Sequence, residues 1–277
     1  MVYPVFLRFA SLTERKHSVF FISPRIREGV IFLLYYADDR RVVYGVTIGI
    51  LLMETTIPFI PGDVGNATSY DFPVLYQTVK GLTTMRMFEK DQTAFEEFHA
   101  AAKILRKQGV RAITGDCGYM LAFQEELADK MDVPVFLSTL LQIPFILKII
   151  GRRGKVGILC ANGESLTHEF LKIAGVSEPD LERVVVHGLE GHEHFREVIH
   201  DETGCLDSEK MTCEVVEGTK RLVQNNDGIK AILLECSDLP PYAAAVHKAT
   251  GMPVFDFNSM IRYVHSVVLR KEFYGAM

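Results

Sequence analysis

A chain of 277 residues, 48% hydrophobic and 23% charged, holds enough apolar material for one large domain or two smaller ones, and is no disordered tail. Its 30 basic and 35 acidic side chains leave a net charge of -5, which argues against a broad basic face for nucleic acid or an anionic membrane. No apolar run approaches the ~18 residues that cross a bilayer, and five cysteines without a C-x-x-C pair supply neither a disulfide framework nor a zinc site.

Residues 1–41 carry seven basic and four acidic side chains and no clean periodicity, so they read as an N-terminal appendage. The start lacks a basic leader and a small-residue cleavage site, and the expected compartment is the cytoplasm. Pattern begins near Val46. Ile48-Gly49-Ile50-Leu51 is a short apolar run expected as a buried strand, with Glu54-Thr55-Thr56 behind it. Residues 91–108 predict a helix, because Phe95, Phe98, Ala102 and Leu105 recur at helical spacing between Asp91 as a cap and Gly109 as a stop. Arg111 to Thr114 predicts a strand ending at Gly115, so Cys117 falls where a strand hands over to a helix. Val156-Gly157-Ile158-Leu159 then repeats the opening run, followed by Asn162-Gly163-Glu164-Ser165. His187, His192, His194, His200 and Cys205 have no recognised ligand spacing and are expected on a solvated helix face, without metal. Neither a phosphate-binding loop nor a dinucleotide fingerprint is present.

Residues 230–255 align with residues 111–136 without a gap. The alignment pairs Cys236 with Cys117, Glu235 with Asp116, and Pro253-Val254-Phe255 with Pro134-Val135-Phe136. A duplication of this kind decides the architecture. Short apolar runs alternating with amphipathic stretches predict an α/β fold of two pseudosymmetric, doubly wound parallel-sheet domains with the active site in the cleft between them. The expected division is 1–41 as the appendage, 42–140 plus 258–277 as the first domain, and 141–257 as the second. Ligands bind at the carboxyl edge of such sheets, where both cysteines fall. Two thiols related by a pseudo-twofold axis can add and remove a proton on opposite faces of one carbon. Asp116 and Glu235, if turned inward, would raise the thiol pKa values.

Cys236-Ser237-Asp238-Leu239-Pro240 resembles the motif around the second catalytic cysteine of the aspartate/glutamate racemase superfamily. Gly115-Asp116-Cys117-Gly118-Tyr119-Met120 resembles the first-cysteine turn of its less characterised racemase-like members. Pro61-Gly62-Asp63-Val64-Gly65-Asn66 with Asp71-Phe72-Pro73-Val74 is also similar to them. The resemblance implies an enzyme that needs neither pyridoxal phosphate nor metal and acts at a carbon next to a carboxylate. Cys117 and Cys236 would be its acid/base thiols and Ser237 a ligand of the substrate carboxylate. One departure bears on the substrate. Amino-acid racemases of the group usually follow the first cysteine with Asn-Thr, whereas this chain has Gly118-Tyr119, whose backbone N–H groups offer an anion nest instead.

The expected substrate-binding set is therefore Gly118, Tyr119, Ser237 and Asp238, joined by Glu54, Asn66, Asn162 and Ser165 at the cleft mouth. For the asparagines and serine, capping and turn formation are the competing reading. The expected function is cofactor-independent racemisation or epimerisation at the α-carbon of a small carboxylate, an amino acid first. A maleate-isomerase-like or arylmalonate-decarboxylase-like enzyme on the same fold is the alternative, and a non-enzymatic binder of small anions the third reading. A small-molecule carboxylate is the expected partner, with no nucleic acid and no membrane, and a homo-oligomer is compatible with all three.

Overall fold

The opening runs of the two halves become the central strands of two parallel sheets. The computed structural model describes residues 43–273, 275 and 276, with residue 37 and the strands β1 (Ser23–Arg27) and β2 (Val30–Leu34) before them. Residues 1–41 and 42–277 form two separate units. In the first, β1 and β2 pair antiparallel, Ser23 opposite Leu34 and Arg27 opposite Val30. The rest of the expected appendage lies outside the described residues.

Within residues 42–277, β3 (Ile48–Leu52) lies between β4 (Val74–Thr78) and β5 (Ala112–Gly115), all parallel. The second sheet repeats this order, with β6 (Lys155–Cys160) between β7 (Val184–Gly188) and β8 (Ile229–Leu234), and β9 (Val254–Phe255) outside β8. The first sheet keeps a trace of the fourth strand. Ile113 bridges to Val135 in parallel where Ile232 pairs with Val254. The duplicated α/β architecture expected from the repeat is the one observed.

The helices of the first half are α1 (Thr84–Phe88), α2 (Phe95–Lys107) and α3 (Gln124–Lys130). Those that follow are α4 (Ile143–Ile149), α5 (His168–Ile173), α6 (Glu193–Phe195), α7 (Ser208–Gln224), α8 (Ala243–Thr250) and α9 (Phe257–Val268). Helix α2 buries Phe95, Phe98, Ala102 and Leu105, the stripe its spacing predicts. It starts later than expected, because the Asp91 carboxylate accepts from the Thr93 N–H and caps a 3-10 turn, Gln92–Ala94, ahead of it. Gly109, at φ +97°, ends it. Equivalent glycines let helix and sheet meet closely in both halves. A Cβ at Gly49 would stand 2.9 Å from Leu105 of α2, and one at Gly157 2.8 Å from Leu222 of α7.

Helix α9 returns to the first sheet. Asp256 and Ser259 form a reciprocal capping box at its start, and Phe257, Met260 and Ile261 pack with Ile48, Ile50 and Ala112 in a core of their own. Both faces of the first sheet are thereby covered, as nearly continuous apolar strands require. The histidine stretch corrects one expectation. His187 lies in β7, His194 sits in α6 and His200 closes a π-helical turn, Arg196–His200, so they share no helix face. His194 is buried, accepting from the Asp207 N–H at 2.9 Å. Among the described residues no helix is long and apolar enough to cross a membrane.

Candidate active site

In sheets of this strand order the loops after the first and third strands diverge and leave a crevice at the carboxyl edge. Met53 follows β3 and Asp116-Cys117 follow β5, while Ala161 follows β6 and Glu235-Cys236 follow β8. All six residues line one cavity of about 20 Å³ between the halves. Gly118, Tyr119, Ser237, Asp238 and Thr84, whose buried hydroxyl has no hydrogen-bond partner, complete the polar wall, and Ile57, Phe88 and Ile199 form the apolar one.

The local fold of each cysteine turn is the same. The Asp116 N–H donates to Leu51 O at 3.0 Å and the Glu235 N–H to Leu159 O at 2.8 Å, extending each central pairing by one residue. Both acidic side chains turn inward. The Asp116 carboxylate accepts from the Met53 N–H at 3.1 Å, and Glu235 Oε2 from the Ala161 N–H at 3.5 Å. Burial pushes each carboxyl up to about 8. Of the two orientations the sequence left open, the inward one is observed, and it acts on the thiols as electrostatics requires.

Burial raises the Cys117 thiol well above its ordinary range, with Glu235 the next cause, and raises Cys236 likewise, with Asp238 next. The backbone N–H groups of Tyr119 and Asp238 oppose this by favouring the respective thiolates. The two cysteines differ in one contact. Cys236 Sγ–H donates to Asp238 Oδ2 at 3.2 Å. Asp63 is buried as well, and both acids are raised chiefly by burial, Asp63 also by the charge of Asp238.

The structure thus brings Cys117, Cys236, Gly118, Tyr119, Ser237 and Asp238 to one cavity. Ser237 donates its hydroxyl proton to the Asp116 carbonyl and so presents lone pairs to the space. Glu54, Asn66, Asn162 and Ser165 lie outside the wall. Asn66 Oδ1 caps a turn by accepting from the Thr68 N–H, and Asn162 Oδ1 accepts from the Ser165 N–H. Asn162 still touches the site indirectly, since its carbonyl accepts from the Tyr119 hydroxyl at 2.6 Å. Sequence reasoning passed over Met53, Ala161, Thr84 and Phe88, and quoted Asp63 within a motif without giving it a role. The first two stand at equivalent places behind the opening strands, so the repeat could have found them. No local signal marks Phe88.

No protein-family model matches the chain. In fold it is similar to glutamate racemase from Bacillus anthracis, with a TM-score of 0.52 at 16% identity over 82% of this chain and 85% of that one. A mutant of arylmalonate decarboxylase gives 0.50 at 16% identity over 80% and 92%. Sequence similarity points elsewhere within that fold. A dimethylsulfoniopropionate lyase of Durusdinium sp. clade D is 35% identical over 218 residues, 76% of this chain and 71% of the relative. Dimethylsulfoniopropionate lyase 3 of Emiliania huxleyi is 33% identical over 229 residues, and the match spans 59% of that longer protein. An amino acid as substrate draws no support from these relatives. The chain belongs to the family of the dimethylsulfoniopropionate lyases, built on the fold of the aspartate and glutamate racemases.

Proposed function

We propose that the chain is a carbon–sulfur lyase that eliminates dimethyl sulfide from dimethylsulfoniopropionate and leaves acrylate. The observation that carries the reading is a cavity walled by two thiols and three buried carboxyls, in a chain 35% identical to a lyase of that name. The substrate is a zwitterion whose α-proton, next to a carboxylate, is weakly acidic, so a base must be held against it in a site that excludes water.

Cys236 is the base in this reading, because Asp238 stands ready to take its proton. Burial disfavours the thiolate in the unliganded cavity, and the substrate's cation offsets that when it enters. The thiolate removes the α-proton, the C–H pair becomes the Cα–Cβ double bond, and the Cβ–S bond breaks with its electrons leaving on sulfur. Neutral dimethyl sulfide departs. The abstracted proton rests on Sγ of Cys236 and passes to solvent when the cavity opens, so atoms and charge balance.

Incubation of the purified chain with dimethylsulfoniopropionate should release dimethyl sulfide, read by headspace gas chromatography, and acrylate in equal amount. Inversion of amino acids in deuterated water with no dimethyl sulfide would overturn this in favour of a racemase. That second reading is kept because two cysteines at equivalent turns suit proton exchange on both faces of one carbon, and elimination needs only one base.

A further inference from the structure

The proposed elimination uses the α-proton and leaves the cationic end of the substrate unhoused. Of the carboxyls around the thiols, Asp116 is held by the Met53 N–H at both oxygens, and Asp238 accepts from the Cys236 thiol at Oδ2 while its Oδ1 has no hydrogen-bond partner. Glu235 is held most weakly of the three. It is fully buried, Oε2 meets only the Ala161 N–H at 3.5 Å, and Oε1 has no hydrogen-bond partner. An orphaned carboxyl oxygen in a dry site is a standing penalty unless something charged arrives to use it. The fold makes room for it there. A Cβ at residue 118 would overlap Oε1 and stand 2.5 Å from Cδ, so only glycine lets the carboxyl lie against that turn. The rings of Phe88 and Tyr119, edge to face with centroids 5.2 Å apart, belong to the same wall.

We propose that Glu235, seated on Gly118 beside the rings of Phe88 and Tyr119, is the cation subsite of the cavity and selects a methylated onium group. Aromatic faces attract such a cation through their quadrupoles. A sulfonium needs no acceptor and rests its methyl groups on apolar wall such as Ile57, Phe88 and Ile199, whereas an ammonium turned toward that wall leaves N–H donors unpaired. This deepens the lyase reading and rests on it.

The test uses the Cys236→Ser chain, in which turnover is slowed, titrated by calorimetry with dimethylsulfoniopropionate, its neutral isostere 4-methylpentanoate, and β-alanine. With Glu235 present the sulfonium should bind about tenfold or more tighter than either. Adding Glu235→Gln should reduce the preference over the isostere to about twofold or less, while the isostere binds as before. Glu235→Asp, which keeps the charge, should retain part of it, and this variant decides the matter if the glutamine variant fails to fold. Binding of the sulfonium should also release a proton near pH 7 when Glu235 is present and none in Glu235→Gln, read from heats in buffers of different ionisation enthalpy. An undiminished preference in Glu235→Gln, tighter binding of β-alanine, or no binding of the sulfonium would each overturn the proposal. Dimethyl sulfide release by the unmutated chain is measured separately: its absence with the preference intact sinks the lyase and spares the subsite, and its presence with the preference unchanged in Glu235→Gln does the reverse.

Discussion

Cys117 and Cys236 sit in mirrored turns, yet only Cys236 has a carboxylate on its sulfur, and that asymmetry predicts unequal mutants. Cys236→Ser should lower turnover of dimethylsulfoniopropionate by ~10²–10⁴, the usual loss with a general base, and Cys117→Ser by less. Steady-state dimethyl sulfide release checks this, and equal losses would count against Cys236 as the base. The buried acids also predict how stability depends on pH. Asp116 and Glu235 hold their protons up to about 8 in the folded chain. Unfolded, they titrate near ~4. Between those values the folded state binds more protons than the unfolded one, so their stabilising contribution is fully present below ~4 and is lost as pH rises through about 8. The melting temperature should therefore fall between pH 5 and pH 8, and fall less steeply in Asp116→Asn. A profile that rises over this range would contradict the inward placement of the two carboxyls.

Each central strand depends on a glycine beneath its covering helix. At Gly157 a Cβ meets Leu222 at 2.8 Å and both Ile229 and Ile232 at 3.3 Å, all buried neighbours with little room to move. Gly157→Val should destabilise the chain by ~1–3 kcal/mol through overpacking. Leu222→Ala in that background should cost less than Leu222→Ala alone, a coupling that urea unfolding of the double-mutant cycle measures. Additive effects would mean that α7 shifts away instead. The same scale explains what periodicity conveys. Helix α2 was legible because one face repeats apolar residues over its length, whereas the π-helical turn before His200 rests on particular contacts, such as the His200 ring nitrogen 2.8 Å from Ala161 O.

For the whole molecule, a cavity of about 20 Å³ holds little more than a water, so the halves must part to admit a substrate. Contacts from Lys90 and Thr56 are among those that span the halves near it. Lys90 Nζ donates to Ser165 O at 2.7 Å and lies 4.4 Å over the Phe170 ring, and the Thr56 N–H donates to Glu202 Oε2 at 3.0 Å. Lys90 and Glu202 are the non-glycine residues at positive φ among the described residues, 54° and 47°, a conformation that persists where surroundings enforce it. Lys90→Ala should therefore speed hydrogen exchange at residues 161–167 while leaving the global melting temperature nearly unchanged. Unaltered exchange would remove Lys90 from the closure. Residues 42–277 form a unit of their own, and a chain lacking residues 1–41 is expected to melt and turn over as the full chain does. Loss of a cooperative melt in the shortened chain would reverse that expectation.

The two-sheet architecture and the place of both cysteines were readable in the sequence because strand runs, helical stripes and turn residues are local signals, and the duplication wrote them twice. The pairing of Cys117 with Cys236 needed only that repeat. Which acids face the thiols was another matter, since a residue at a strand end can point either way, and the contacts that decide it join distant positions. Ser237 and Asp116 are 121 residues apart, and Met53 and Asp116 are 63 apart. Gly118 stood out in the sequence as a departure from the amino-acid racemases. Its reason, the Glu235 carboxyl from the other half lying against it, exists only when the two halves close on each other. Turn chemistry and periodicity act within a few residues of one another, while the charge, dryness and shape of a cavity are sums over side chains that only the tertiary fold brings together.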